Sequence, residues 1–159
     1  MTFAVTVSTR GVRGRVDART VHRRAIKLLT LLDKPHAELS VVLCGDDFIA
    51  ELNQSYRGKS GPTDVLSFAM AEGEDGDLAG PVLGDVVISL DTAQRQAFEL
   101  QRSLLDEVTS LLVHGVLHLM GFDHVKAPDA RRMFARAAEL EKQIGRRTPI
   151  PRKNFTESA

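Results

Sequence analysis

SLLDEVTSLLVHGVLHLMGFDH, residues 103–124, decides how this chain folds. Ser103 and Asp106 have the spacing of a capping box at a helix start. The run then continues through Leu104, Leu105, Val108, Leu111, Leu112, Val116, Leu117 and Met120. A helix that is apolar nearly all round belongs at the centre of a fold, so the pattern predicts a buried helix over 104–120. His114 and His118 lie four residues apart on it. In a helix that spacing separates them by about 40° around the axis and about 6 Å along it, so both imidazoles can reach one ion. Gly121 can end the helix in a left-handed conformation and turn the chain back, which can bring His124 in as a third ligand.

Three histidines leave one position of a tetrahedral site open, as a catalytic zinc requires. The competing reading is a set of buried histidines bonded to backbone. One such histidine would be ordinary, but three at this spacing, closed by a glycine turn, favour a metal. A closed structural zinc is disfavoured, because Cys44 is the only cysteine and a fourth ligand would have to come from afar. Asp123 either orients a ligand or caps the last helix. The spacing H-x3-H-x2-G-x2-H is shared with metzincin proteases, which carry a glutamate general base directly after the first histidine. Here that residue is Gly115, so peptide hydrolysis by that route is disfavoured. A metal can still polarise a phosphoryl oxygen.

Outward from this helix, residues 2–8 alternate like a half-buried strand, and 38–44, 64–70 and 82–90 read as three more. Asp17 can cap a helix running to about Leu32, with His22 on its surface. Asp46 or Asp47 can cap another that carries Phe48, Ile49 and Leu52. Further helices are expected over 91–100 and 128–143. GVRG, residues 11–14, reads as a turn. The expected fold is α+β: a small mixed sheet of about four strands covered by helices, with a central helix carrying the histidines. Residues 1–145 are expected to form a single domain and 146–159 a basic, disordered tail, with a mobile acidic loop near 71–80.

The composition, 43% apolar and 26% charged, is that of an ordinary globular protein. No apolar run is long enough to span a bilayer, and the start lacks the pattern of a signal peptide, so the expectation is a cytoplasmic protein with no membrane partner. Cys44, alone at the end of SVVLC, reads as a core residue. The net charge is zero but unevenly spread: residues 60–94 hold seven acids and no Lys or Arg. Basic residues crowd both ends, where they suit either a polyanionic partner or a solvated face.

Three blocks resemble the YbeY family of bacterial endoribonucleases and ribosomal-RNA maturation factors. HGVLHLMGFDH (114–124) matches every fixed position of H-G-x-L-H-L-x-G-[YF]-D-H. LNQSYRGKSGPTDVLSF (52–68) fits L-N-x-x-Y-R-x-K-x-x-P-T-[DN]-V-L-S-F, and LGDVVI (83–88) fits L-G-D-[IV]-V-I. One departure is LSFAM, where many relatives place a proline after LSF. The resemblance implies an α+β metal-dependent hydrolase with one Zn2+ held by His114, His118 and His124, and Arg57 in the active cleft. It further implies cleavage of single-stranded RNA in 16S rRNA 3′-end maturation and ribosome quality control. The implied partners are rRNA, the small ribosomal subunit and its assembly factors.

The residue chemistry agrees with this. Arg57 offers a planar, permanently charged fork suited to phosphate oxygens; its alternative is a surface ion pair with an acid of the next segment. Lys59 can hold a neighbouring phosphate or simply be solvated. Tyr56 can stack a base or pack at the helix end. Asp85, a charge inside a strand, either faces the cleft or orients Arg57; Asp64 and Ser67 have weaker claims. The general base is left open between water on the metal, a phosphate oxygen and the RNA 2′-hydroxyl. Two other functions compete: a metal-dependent hydrolase of another substrate, and a non-catalytic ribosome-assembly factor with structural zinc.

Overall fold

The computed structural model describes residues 4–69, 82–121 and 127–145. The acidic segment 71–80, Asp123, His124 and the tail 146–159 lie outside these residues. In chain order the elements are β1 (Ala4–Thr9), α1 (Ala18–Leu31), β2 (Glu38–Cys44), α2 (Asp46–Arg57), β3 (Val65–Ala69), β4 (Val82–Ser89), α3 (Leu90–Glu99), α4 (Leu104–Leu119) and α5 (Ala127–Ile144). The strands form one mixed sheet in the order β1-β2-β4-β3. β1, β2 and β4 run parallel, and the short edge strand β3 pairs antiparallel with β4. The expected α+β architecture is what the chain adopts.

Side chains alternate across a strand, so each strand feeds both faces of the sheet. Val5, Leu39, Val41, Leu43, Val65, Val86 and Ile88 join the main core with residues of α1, α3, α4 and α5. On the other face, among the described residues, α2 lies over the sheet, and Ile49 packs with Cys44, Leu66 and Val87 in a smaller cluster. The helix expected at the centre is there: every residue of α4 from Glu107 to Leu117 is buried. Ser103 caps it, its hydroxyl accepting the Asp106 N–H at 3.0 Å.

Two glycines set distances. A Cβ on Gly115 would lie 2.7 Å from Val86 Cγ1 and 3.2 Å from Ser67 Oγ, so α4 rests directly on the β3–β4 pair. Gly84 has φ +136°, and a Cβ there would lie 2.1 Å from the Phe68 carbonyl oxygen. It sits at a bulge where the β2–β4 register shifts between Glu38 and Leu39. Beyond it the ladder is unbroken, and strand alternation puts Asp85 on the same face as Val87, toward α2.

Two local expectations are corrected. α2 is not capped by Asp46 or Asp47. Its N-cap is Gly45, and the Asp46 N–H donates instead to the Asp91 carboxylate at 2.8 Å. A Cβ on Gly45 would stand 2.9 Å from that carboxylate oxygen. The cap arrives from α3, which no local pattern announces. His22 is not a free surface residue: it is half-buried, and its Nε2 donates to the Val5 carbonyl at 3.0 Å.

Candidate functional site

His114 is 2% exposed near the C-terminal end of α4. Its Nδ1 lies 2.8 Å from the Ser110 carbonyl oxygen. A carbonyl can only accept, so the proton sits on Nδ1 and the lone pair on Nε2. Phe134 of α5 meets the ring edge-on at 6.1 Å and fixes its plane. His118, half-buried, follows one turn later, and the Nε2 atoms of both histidines are shut away from solvent. An imidazole whose Nδ1–H is held by a backbone carbonyl and whose Nε2 is sheltered has the form of a metal ligand. The donor set therefore fits a borderline-soft divalent ion such as zinc. Among the described residues no third potential ligand joins the pair. His124, the expected third, lies outside them.

Gly115 follows His114 and carries the contact with the sheet. Its carbonyl accepts the Ser67 hydroxyl at 3.0 Å, tying β3 to α4 beside the histidines. The absence of a side chain here is thus a packing requirement as well as a chemical one. Ser67 is engaged in this tie. Asp64 is 2% exposed and accepts the Val65 N–H at 2.8 Å and the Gln96 amide at 3.2 Å, so it too holds structure.

The other sequence candidates lie across β3, on the α2 side. Arg57 is the last residue of α2, which Gly58 ends in a left-handed conformation at φ 67°. Arg57 is exposed and makes no ion pair with any described residue. Lys59 follows on the exposed loop. Tyr56 is 69% exposed, not packed away, and its ring meets Phe68 edge-on at 5.3 Å. Asp85 is half-buried and does not pair with Arg57, so it does not orient that guanidinium. The structure therefore brings together two groups, His114 with His118 and Tyr56 with Phe68, and sets them on opposite sides of the edge strand. Phe68 and Ser67, neighbours in β3, touch one group each.

A groove of 470 Å³ opens on the α2 side, lined by Arg10, Phe48, Tyr56, Phe68 and Asp85 among others. Sequence reasoning did not find it. The available signal was Gly84 before a charge inside a strand, which marks a bulge or a close approach. Also missed was Arg102, 4% exposed, which donates to Glu107 of α4 and lies 4.0 Å from Glu141 of α5. This buried ionic link ties α5 to the histidine helix. Cys44 is a core residue as expected: burial, with Asp91 and Asp46 nearby, pushes its thiol up to about 12. No helix among the described residues is long and apolar enough to cross a membrane.

Comparison with known proteins agrees with this arrangement. The family model described as Endoribonuclease YbeY matches residues 10–145. A curated protein of that name from Anaeromyxobacter sp. is 46% identical over 143 residues, covering 90% of this chain and 73% of the relative. One from Geobacter sulfurreducens is 44% identical, covering 86% and 92%. One from Aquifex aeolicus is 49% identical, covering 82% and 83%. The solution structure of a Thermotoga maritima protein superposes with a TM-score of 0.62 at 25% identity, covering 88% of each chain. With its sheet, its histidine helix and its three sequence blocks in place, this chain belongs to the endoribonuclease YbeY family.

Proposed function

We propose that this protein is a metal-dependent endoribonuclease that cuts single-stranded RNA. Its place would be the cytoplasm, in 16S rRNA 3′-end maturation and ribosome quality control, alongside the small subunit and its assembly factors. The observation that carries the reading is the His114–His118 pair, one turn apart on a buried helix, in a chain whose relatives are named endoribonucleases. His114, His118 and His124 are the residues that would hold one Zn2+. An ion held there supplies Lewis acidity toward a phosphodiester oxygen.

The chain's own groups do the rest. The Ser110 carbonyl keeps the His114 Nε2 lone pair directed away from its own helix. Arg57, exposed at the end of α2, keeps its guanidinium edges for phosphate oxygens whose charge grows in the transition state. Lys59 adds a second positive charge two residues on. Tyr56 offers an exposed ring to a base. Gly115 offers no proton acceptor, and the sheet leaves no room for a glutamate there, which turns the site away from peptide hydrolysis.

The test is cleavage of a labelled single-stranded RNA by protein of known zinc content, beside chelated protein and a folded Arg57→Ala variant. The proposal expects cutting by the first alone. Wild-type rates in all three would refute it and leave a ribosome-assembly factor with a structural metal.

A further inference from the structure

We infer that the groove beneath α2 is a nucleobase subsite in which Asp85 selects guanine over uracil. The inference rests on the reading of single-stranded RNA as substrate and adds to it where a base is read and by what. Its starting point is the Asp85 carboxylate. It is half-buried on the groove floor and makes no hydrogen bond or ion pair with a described residue. Its oxygens face the groove with no protein donor among the described residues, so a ligand can bring donors to them. The backbone has been shaped to put it there. Strand alternation with Val87 puts Asp85 on the α2 face, between Ser40 of β2 and Phe68 of β3, and the bare Gly84 before it lets β4 lie close against the Phe68 carbonyl.

The surroundings name the ligand. The groove's 470 Å³ is within the range of small-molecule sites. Its mouth carries the exposed ring of Tyr56, already edge-on to Phe68, a platform on which a base can stack. One cation lines the groove, Arg10, its guanidinium 5.0 Å over the Phe48 ring, and a second, Arg57, follows Tyr56 at the end of α2. A strand whose phosphates meet these cations cannot also place a phosphate on Asp85, since like charges repel. What Asp85 meets is the edge of a base. Guanine presents N1–H and the N2 amine side by side, two donors for two carboxylate oxygens. Cytosine and adenine present one amine each. Uracil presents one N–H between two carbonyl oxygens that a carboxylate repels.

The sequence supplies the probe. Tyr56 is the only tyrosine and there is no tryptophan, so intrinsic fluorescence reports this groove alone. The experiment titrates guanosine and uridine 5′-monophosphate into the whole protein. Neither contains an internal phosphodiester, so turnover does not intervene. Guanosine monophosphate is expected to quench Tyr56 with an affinity about tenfold above that of uridine monophosphate. Asp85→Asn, which exchanges an acceptor oxygen for a donor amide, is expected to remove most of that ratio, and Asp85→Ser to do the same. Tyr56→Phe, followed by calorimetry, should keep it. Equal affinities in the wild type, no binding of either nucleotide, or a preference that survives both Asp85 variants would overturn the inference. RNA cleavage without guanine preference would overturn it alone. Guanine preference without RNA cleavage would refute the proposed function and leave the subsite standing.

Discussion

Replacing Gly115 by alanine tests whether α4 is seated on the sheet as described. The new methyl would stand 2.7 Å from Val86 Cγ1 and 3.2 Å from Val86 Cγ2 and Ser67 Oγ. Val86 is fully buried and β-branched, paired between Val41 and Ser67, so it cannot swing aside. Two effects oppose. Alanine in place of a helical glycine stabilises by about 1 kcal/mol. Overpacking costs about 1–3 kcal/mol. The net is a loss of about 0–2 kcal/mol, too small to be diagnostic alone. Val86→Ala removes two buried methyls and leaves a cavity, costing about 1–3 kcal/mol. In the double variant the methyl introduced by Gly115→Ala occupies the vacated space. The clash goes and the helical gain stays, so the pair should be more stable than the sum of the singles by about 1–3 kcal/mol. Urea unfolding followed by circular dichroism, with unchanged m-values, measures this. Because His114 adjoins Gly115, RNA cleavage should fall in Gly115→Ala and recover in the double variant. Additivity within about 0.5 kcal/mol would refute the close contact and, with it, the packing reason for the glycine.

Three further outcomes follow from ionisable side chains away from the histidines. Arg102→Met leaves the Glu107 and Glu141 carboxylates buried without the guanidinium between them, and should cost about 3–5 kcal/mol in urea unfolding. Replacing the two glutamates with leucine in the same protein should recover most of the loss. Asp46 is pushed up by burial but pulled lower overall by hydrogen bonds from Ser89, Thr92 and Arg95. Asp91 is lowered by Arg15 and by the Asp46 N–H. Folded values below the ordinary 3.8 mean that the unfolded chain binds more protons in acid. Their contribution is thus complete above pH about 4 and is lost as pH falls through the folded values, so Asp46→Asn should flatten the acid limb of a stability–pH profile. Cys44, with its thiol pushed up to about 12, should resist alkylation in native protein at pH 8 and react only at the rate of unfolding.

Much of this was legible in the chain because the signals were local. The near-continuous apolar run of 104–120 announced α4, and β2 follows the apolar run of 38–44. The His114–His118 spacing needs only helix geometry to bring two imidazoles to one side. What the sequence withheld depends on elements meeting across space. The Asp91 cap on α2 comes from another helix. Arg102 finds its glutamates on two helices, one of them far along the chain. Alternation along β4 sets Asp85 on the α2 face, away from the histidines, and the groove forms where α2 lies over that side of the sheet. Gly115 was readable as a missing base, but its contact with Val86 and Ser67 required the register of β3 on β4.

The central claim is that the histidine helix and Arg57 serve one reaction on RNA. One set of samples tests it most directly: wild-type, His118→Ala and Arg57→Ala proteins, each shown to be folded, assayed together for bound zinc and for cleavage of single-stranded RNA. His118→Ala is expected to lose both metal and cutting, and Arg57→Ala to keep the metal while losing the cutting. Undiminished cleavage by a folded, zinc-free His118→Ala protein would contradict the claim.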